Sequence, residues 1–106
     1  MEETMLNKFE IEGTALAVWI TKTEALAIKV AVVHEHNVGS RKTTTESVFL
    51  VVFDDTDRIK TVDAMQGDKI YVRGHLYLKH KLTAGGNSHQ QVMLMADEIT
   101  VLKYAK

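Results

Sequence analysis

The chain has 106 residues and a 45% hydrophobic fraction, enough for one modest core without disulfide or metal support. It has no cysteine, which excludes disulfide frameworks, thiol nucleophiles and cysteine zinc sites. A net charge of -1 argues against a strongly basic polyanion binder, although the charge is unevenly placed. Residues 69–81 carry Lys69, Arg73, Lys79 and Lys81 and no acid, whereas residues 54–68 carry five aspartates against Arg58 and Lys60. Such asymmetry permits a local anionic ligand on a nearly neutral protein. No apolar run approaches the roughly 20 residues of a membrane span. The acidic opening, Met1-Glu2-Glu3-Thr4-Met5, lacks the apolar core of a targeting peptide. The expectation is a soluble cytoplasmic protein, one domain over residues 1–106, with residues 1–5 a flexible extension.

In chain order, Phe9 and Ile11 alternate with Lys8, Glu10 and Glu12, which predicts a first strand that bends at Gly13 and runs on toward Trp19. Leu26, Ile28, Val30 and Val32 alternate with Ala27, Lys29, Ala31 and Val33 in a second strand ending near His34. Residues 35–46 are polar and turn-rich and read as a long hairpin loop. Ser47 to Phe53 is apolar and β-branched, a third strand. Asp55 or Thr56 is placed to cap a short helix in which Ile59, Val62 and Met65 recur at helical spacing, with Gly67 at its end. Residues 69–82 form the fourth strand, and residues 82–89, centred on Gly85-Gly86, a flexible loop. Gln91 to Met95 and Ile99 to Leu102 predict a fifth strand, in one piece or in two around Ala96-Asp97-Glu98. Five strands with one helix between the third and fourth is the layout of the all-β, five-stranded oligonucleotide-binding (OB) Greek-key barrel.

The fourth strand is the most informative stretch. Ile70, Val72, Leu76, Leu78 and Leu82 share one parity, and Tyr71, Arg73, His75, Tyr77, Lys79 and Lys81 the other. Side chains alternate along an extended strand, so one face is apolar and the other aromatic and cationic. Rings interleaved with cations suit a flexible polyanion with exposed bases. They equally suit a face against another subunit, where Tyr and Arg are enriched. The strand divides: its Tyr71 and Arg73 end lies near the helix, and its Tyr77, Lys79 and Lys81 end leads into the Gly85-Gly86 hairpin. The second end is the one expected to touch a nucleic acid.

Catalytic signatures are weak. His34 and His36 stand two apart and read as surface histidines rather than metal ligands, and Asp54, Asp55 and Asp57 as helix-start acids. The glycine pair is in a hairpin rather than a phosphate loop, and no serine has nucleophile-elbow surroundings. No enzyme, cofactor or metal is expected. Binding features are stronger. Lys22, Lys29, Arg41 and Lys42 could line one groove with the fourth strand, and Trp19, Tyr71 and Tyr77 are stacking candidates. Trp19 suits a core anchor equally well. Phe49 reads as core, and Phe53 is open between core and stacking platform.

Together these segments resemble the bacterial single-stranded-DNA-binding protein family, including its phage and plasmid members. Asn7-Lys8-Phe9-x-Ile11-x-Gly13 looks like its opening strand, and Ala27-x-Lys29-Val30-Ala31-Val32 and Phe49-Leu-Val-Val-Phe53 follow at family-like spacing. Gly67-Asp-x-Ile70-x-Val72-x-Gly74-x-Leu76 resembles the fourth strand, and Ala96-Asp97-Glu98-Ile99 the last. The resemblance covers residues 7 to 102. It implies an OB fold, a homodimer or homotetramer, and sequence-tolerant binding of single-stranded DNA, with RNA as an alternative polymer. It places Phe53 where many members have an aromatic residue, Arg41 and Lys42 in a basic hairpin, and Lys79 and Lys81 where the fourth strand leaves for its long hairpin.

The resemblance and the residue reading together give a DNA-binding set of Trp19, Lys22, Lys29, Arg41, Lys42, Phe53, Tyr77, Lys79 and Lys81. Two departures stand out. Thr14 to Thr23 has neither the basic residue nor the Asp-Pro turn usual after the opening glycine, and the sequence stops at Lys103-Tyr104-Ala105-Lys106 without the usual acidic-tipped tail. Recruitment of replication or repair proteins through such a tail is therefore in doubt. A tailless domain of this length also resembles primosomal replication protein N, a dimeric primosome-assembly relative. The alternative from another class is an OB-like protein-interaction module without nucleic-acid binding.

Overall fold

The computed structural model describes residues 6–105 apart from 83 and 87, and of residues 81, 82 and 88 only the backbone. The expected extension at residues 1–5 lies outside the described residues. The elements are β1 (Phe9–Ile20), β2 (Leu26–Val38), β3 (Arg41–Phe53), a 3-10 turn (Ile59–Thr61), β4 (Lys69–Leu82) and β5 (Ser88–Lys103). The strands close into a barrel in the order β1-β2-β3-β5-β4. Closure depends on β1 serving two neighbours. Its first half, Phe9–Thr14, pairs antiparallel with β4, and its second half, Thr14–Ile20, with β2. A register shift between Ala15 and Ala17 rotates the strand from one partner to the other. β3 and β5 meet in parallel only at Val51–Leu94 and Val52–Met95, which shuts the barrel. Ala15, Ile28, Val30, Val51, Phe53, Ile70 and Val72 fill the interior, each at most 2% exposed.

Two expectations are corrected, and one alternative left open is decided. Residues 35–46 are not a loop, because β2 and β3 pair continuously from Leu26–Phe53 out to Val38–Arg41. Thr43, Thr44 and Thr45 are polar but β-branched, and they suit an exposed ribbon as well as apolar residues suit a buried one. Only Gly39 and Ser40 turn, with Gly39 at φ +65, the left-handed position a two-residue hairpin asks of its first residue.

The helix shrinks to a single 3-10 turn. The Asp55 carbonyl accepts from the Arg58 and Ile59 amides, and Val62 is already extended (φ -88, ψ 115). Downstream, the buried carboxylate of Asp68 takes the amides of Met65 (2.9 Å) and Ala105 (2.8 Å), holding the segment to the end of β5 rather than in helix. Of the two readings of the fifth strand, the single piece is the one observed, with an irregularity at the expected place. Arg73 faces Glu98 and Gly74 faces Ala96, so Asp97 is an extra residue bulged out of the ladder. A Cβ at Gly74 would run into the Met95 carbonyl, so the close approach at this bulge requires glycine.

β1 stops covering β4 at the Phe9–Gly74 pair. Ile70 and Val72, before that point, are fully buried, whereas Leu76 and Leu78, after it, are 44% and 45% exposed. From there β4 and β5 leave the barrel as a two-stranded ribbon. Asn7 prolongs the ladder by one step with its side-chain amide, donating from Nδ2 to the Leu76 carbonyl (3.0 Å) and accepting at Oδ1 from the Leu76 amide (2.9 Å).

Candidate nucleic-acid interface

The outward-facing residues of the sheet form rows that cross strands. Register aligns Trp19, Ala27, Val52, Met95 and His75, one from each of the five strands. One pleat further, Ala17 and Lys29 face Leu50 on one side, and Tyr77 faces Met93 on the other. At about 5 Å per strand, the first row spans roughly 20 Å of curved surface. The centre of this face is an open groove of about 470 Å³, lined by Thr23, Ala25, Val52, Asp54, His75, Tyr77, Lys79, Met93 and Met95. Ala25, the smallest residue of the lining, is 5% exposed. The rim at Thr23 is set by a tight turn in which Thr21 donates its amide to the Ala25 carbonyl (2.8 Å) and accepts the Ala25 amide on its hydroxyl (3.1 Å).

The structure brings some of the expected residues together. Tyr77, 56% exposed, and Lys79 stand in the groove, and Trp19, 39% exposed, lies on the same outer face with Lys29 one pleat away. Lys22 is exposed in the β1–β2 turn beside the groove rim. Arg41 and Lys42 are at the tip of the β2–β3 ribbon. From Arg41 to Val52 is eleven residues of β3, roughly 36 Å of extended strand, so they reach the groove only if a ligand follows the ribbon. On the way Glu46 shares the face of Lys42 by alternation, and Glu35 stands opposite Thr44 of that face. Lys81 pairs with His89 in the ladder, and its side chain lies outside the described residues.

Phe53 is a correction. It is 2% exposed and belongs to the core, its ring covered by the Arg58 guanidinium at 5.5 Å, so it offers no face to a base. Its parity puts it with Val51 inside the barrel. Phe49, read as core, shares that parity but is 37% exposed, because β3 is leaving the barrel there.

The other half of the β4 stripe is occupied by its own neighbours. Arg73 makes a two-point contact with Glu98 (2.8 and 3.1 Å), and His75 Nδ1 meets the Asp97 carboxylate at 3.1 Å. Tyr71 lies with Glu10 and Glu12 in a separate cleft against Val32 and Val33. Partial burial, and next the nearby Glu10 carboxylate, raise its phenol above its ordinary value. His34 and His36 sit on the opposite face of the β2–β3 ribbon with ring centroids 6.0 Å apart, and no group of three His, Asp or Glu side chains suited to a metal forms among the described residues.

Sequence reasoning missed Val52, Asp54, Met93 and Met95 as groove residues. Met93 and Met95 alternate with Val92 and Leu94, so both faces of β5 are apolar there and hydrophobicity gives no contrast to read.

No family model and no curated protein matches the sequence. Solved structures match its fold. The single-stranded-DNA-binding protein of Plasmodium falciparum, solved in complex with single-stranded DNA, aligns over 97% of this chain and 100% of its own with a TM-score of 0.74 at 17% identity. A deletion mutant of the Thermus aquaticus protein gives 0.73 at 20% identity, over 92% of this chain and 51% of its own. The mitochondrial protein Rim1 of Saccharomyces cerevisiae gives 0.63 at 16% identity, over 94% and 98%. This chain has the OB fold of the single-stranded-DNA-binding proteins. At these identities the likeness is one of fold, and residue roles have to be argued from the groove itself. Among the described residues no helix is long and apolar enough to cross a membrane.

Proposed function

We propose that this protein binds single-stranded DNA with little sequence preference, in the groove between the β1–β2 turn and the β4–β5 ribbon. The observation that carries the reading is the juxtaposition of an exposed ring, Tyr77, and a cation, Lys79, over an apolar floor. Rings and apolar groups accept any base on its face, and lysines follow phosphates without reading sequence. Trp19 and Lys29 extend the path across β1 and β2, and Lys22, Lys42 and Arg41 are outer phosphate contacts. The protein acts as a binder rather than a catalyst, as a homodimer or homotetramer that protects single strands or loads other factors in replication, recombination or repair. The likeness to structures of DNA-binding proteins supports the polymer class, and the groove chemistry supports the mode.

Titration with oligo-dT at low salt, followed by Trp19 fluorescence, tests this directly. Saturable quenching that weakens steeply with added salt is expected, because each phosphate contact releases a counterion. Absence of binding at low salt would sink the reading. It would favour a protein-interaction module instead, for which the net charge of -1 and the Glu35 and Glu46 carboxylates on the β2–β3 ribbon are the supporting observations.

A further inference from the structure

Between Trp19 and Tyr77 the groove lining has no Phe, Tyr or Trp ring, and its one imidazole, His75, is engaged by the Asp97 carboxylate. Val52 and the two thioethers of Met93 and Met95 occupy the floor, half-buried, with Tyr77 directly across the ladder from Met93 and His75 across from Met95. A thioether is polarisable and flexible, and it makes favourable contacts with aromatic rings, a nucleobase included. Met65, by contrast, is 69% exposed in the β3–β4 connection, away from the groove lining. We propose that Met93 and Met95 form the base-contacting floor of the groove and that their oxidation to sulfoxide releases the bound strand. The inference rests on the groove being the single-stranded DNA site, and it makes that site sensitive to peroxide.

The chemistry is a two-electron oxygen transfer. A sulfur lone pair attacks one oxygen of a hydroperoxide, the O–O bond breaks, that oxygen stays on sulfur, and the other leaves as water or alcohol after proton transfer. The sulfur is oxidised and the peroxide reduced. The product carries a strong dipole where the floor was apolar. Under a stacked base that oxygen would be buried without water. Asp54, as a carboxylate, can only accept a hydrogen bond and cannot relieve it. The Lys79 ammonium, the Thr23 and Tyr77 hydroxyls and the His75 ring can donate, but a donor turned down to the floor is withdrawn from the phosphate or base above it. Either outcome weakens binding.

The test uses anisotropy of a 5′-labelled oligo-dT, with hydrogen peroxide as oxidant and sulfoxide at residues 93 and 95 verified by peptide mass. The oxidised protein should bind about tenfold more weakly or worse, the loss of one base contact. Methionine sulfoxide reductases should restore it. The double variant Met93→Leu/Met95→Leu keeps the floor apolar but has no sulfur there to oxidise, so whatever affinity it shows untreated should be the same after peroxide, although Met1, Met5 and Met65 remain oxidisable. Should oxidation disturb folding, Met95→Gln places a polar group on the floor without peroxide and should show the same loss. Unchanged affinity with both sulfoxides present, a peroxide-sensitive double-leucine variant, or full binding by Met95→Gln would overturn the proposal while leaving the DNA site intact. No binding by the untreated protein would overturn both.

Discussion

The two halves of β4 carry the same kind of side chains on the same parity and meet opposite fates. Tyr71 and Arg73 lie where β1 still covers the strand, and β1 brings Glu10 and Glu12 beside Tyr71 while β5 supplies Glu98 to Arg73. Tyr77 and Lys79 lie beyond Gly74, where β1 has ended and β5 offers Met93 and Gln91 as cross-strand neighbours. Among the described residues Lys79 forms no ion pair. A ring next to a cation is therefore not a nucleic-acid signature by itself. What decides is whether the neighbouring strands supply carboxylates or an apolar floor, and here that changes within four residues.

The largest effect should come from the division itself. Gly74→Val sets side-chain carbons against the Met95 carbonyl at the point where β4 leaves the barrel. The backbone there belongs to two ladders, so it cannot yield without disturbing β1 as well. A loss of about 3 kcal/mol in urea unfolding is expected, at the upper end of overpacking penalties. A loss below about 0.5 kcal/mol, within the range of neutral surface substitutions, would mean that the two halves are not held apart by this contact.

Next comes binding. Tyr77→Ala should cost about 1–3 kcal/mol of oligo-dT affinity, the worth of one stacked base, whereas Tyr71→Ala should leave affinity within about 0.3 kcal/mol. Lys79→Ala should reduce the slope of log K against log salt by about 1, and Arg73→Ala, already neutralised by Glu98, should leave it unchanged. Equal losses from Tyr71 and Tyr77 would erase the distinction. If the second-half variants instead gave monomers with intact affinity per site, that end of the strand would be a subunit interface.

How much of this could be read beforehand depends on what alternation reveals. Period-two patterning located β1, β2 and β4, and apolar or β-branched runs located β3 and β5, whereas the division of β4 followed from its place in the barrel, its own alternation being the same in both halves. Patterning failed on the β2–β3 ribbon, where both faces are solvated and Thr43 to Thr45 pair as strand without any apolar signal. The helical spacing of Ile59, Val62 and Met65 was genuine as a pattern, but the Asp68 carboxylate claims the Met65 amide locally while its other oxygen, in a tertiary contact, takes the Ala105 amide. Parity also cannot say which face is inside. Phe53 and Phe49 share one face of β3, yet one is sealed by Arg58 and the other partly exposed, because the barrel ends between them.

The smallest effect concerns pH and involves Tyr71 in the first half of β4 together with Tyr104 beyond the end of β5. Tyr71 is held neutral by partial burial and by Glu10, and Tyr104 by its hydrogen bond to Asp63 (2.7 Å) and that residue's charge. Both phenols are raised above the ordinary 10.0, so the folded state retains their protons to higher pH than the unfolded chain does. Their contribution to stability is fully present below pH 10 and is lost as pH rises through the folded values. Urea midpoints should therefore decline on the alkaline side of 10, and Tyr71→Phe and Tyr104→Phe should each flatten the decline, since a phenyl ring has no proton to lose. A wild-type midpoint that stays level through this range would mean that the carboxylates around Tyr71 do not set its environment. The contrast between the covered and the free half of β4 would then rest on the Arg73–Glu98 pair alone.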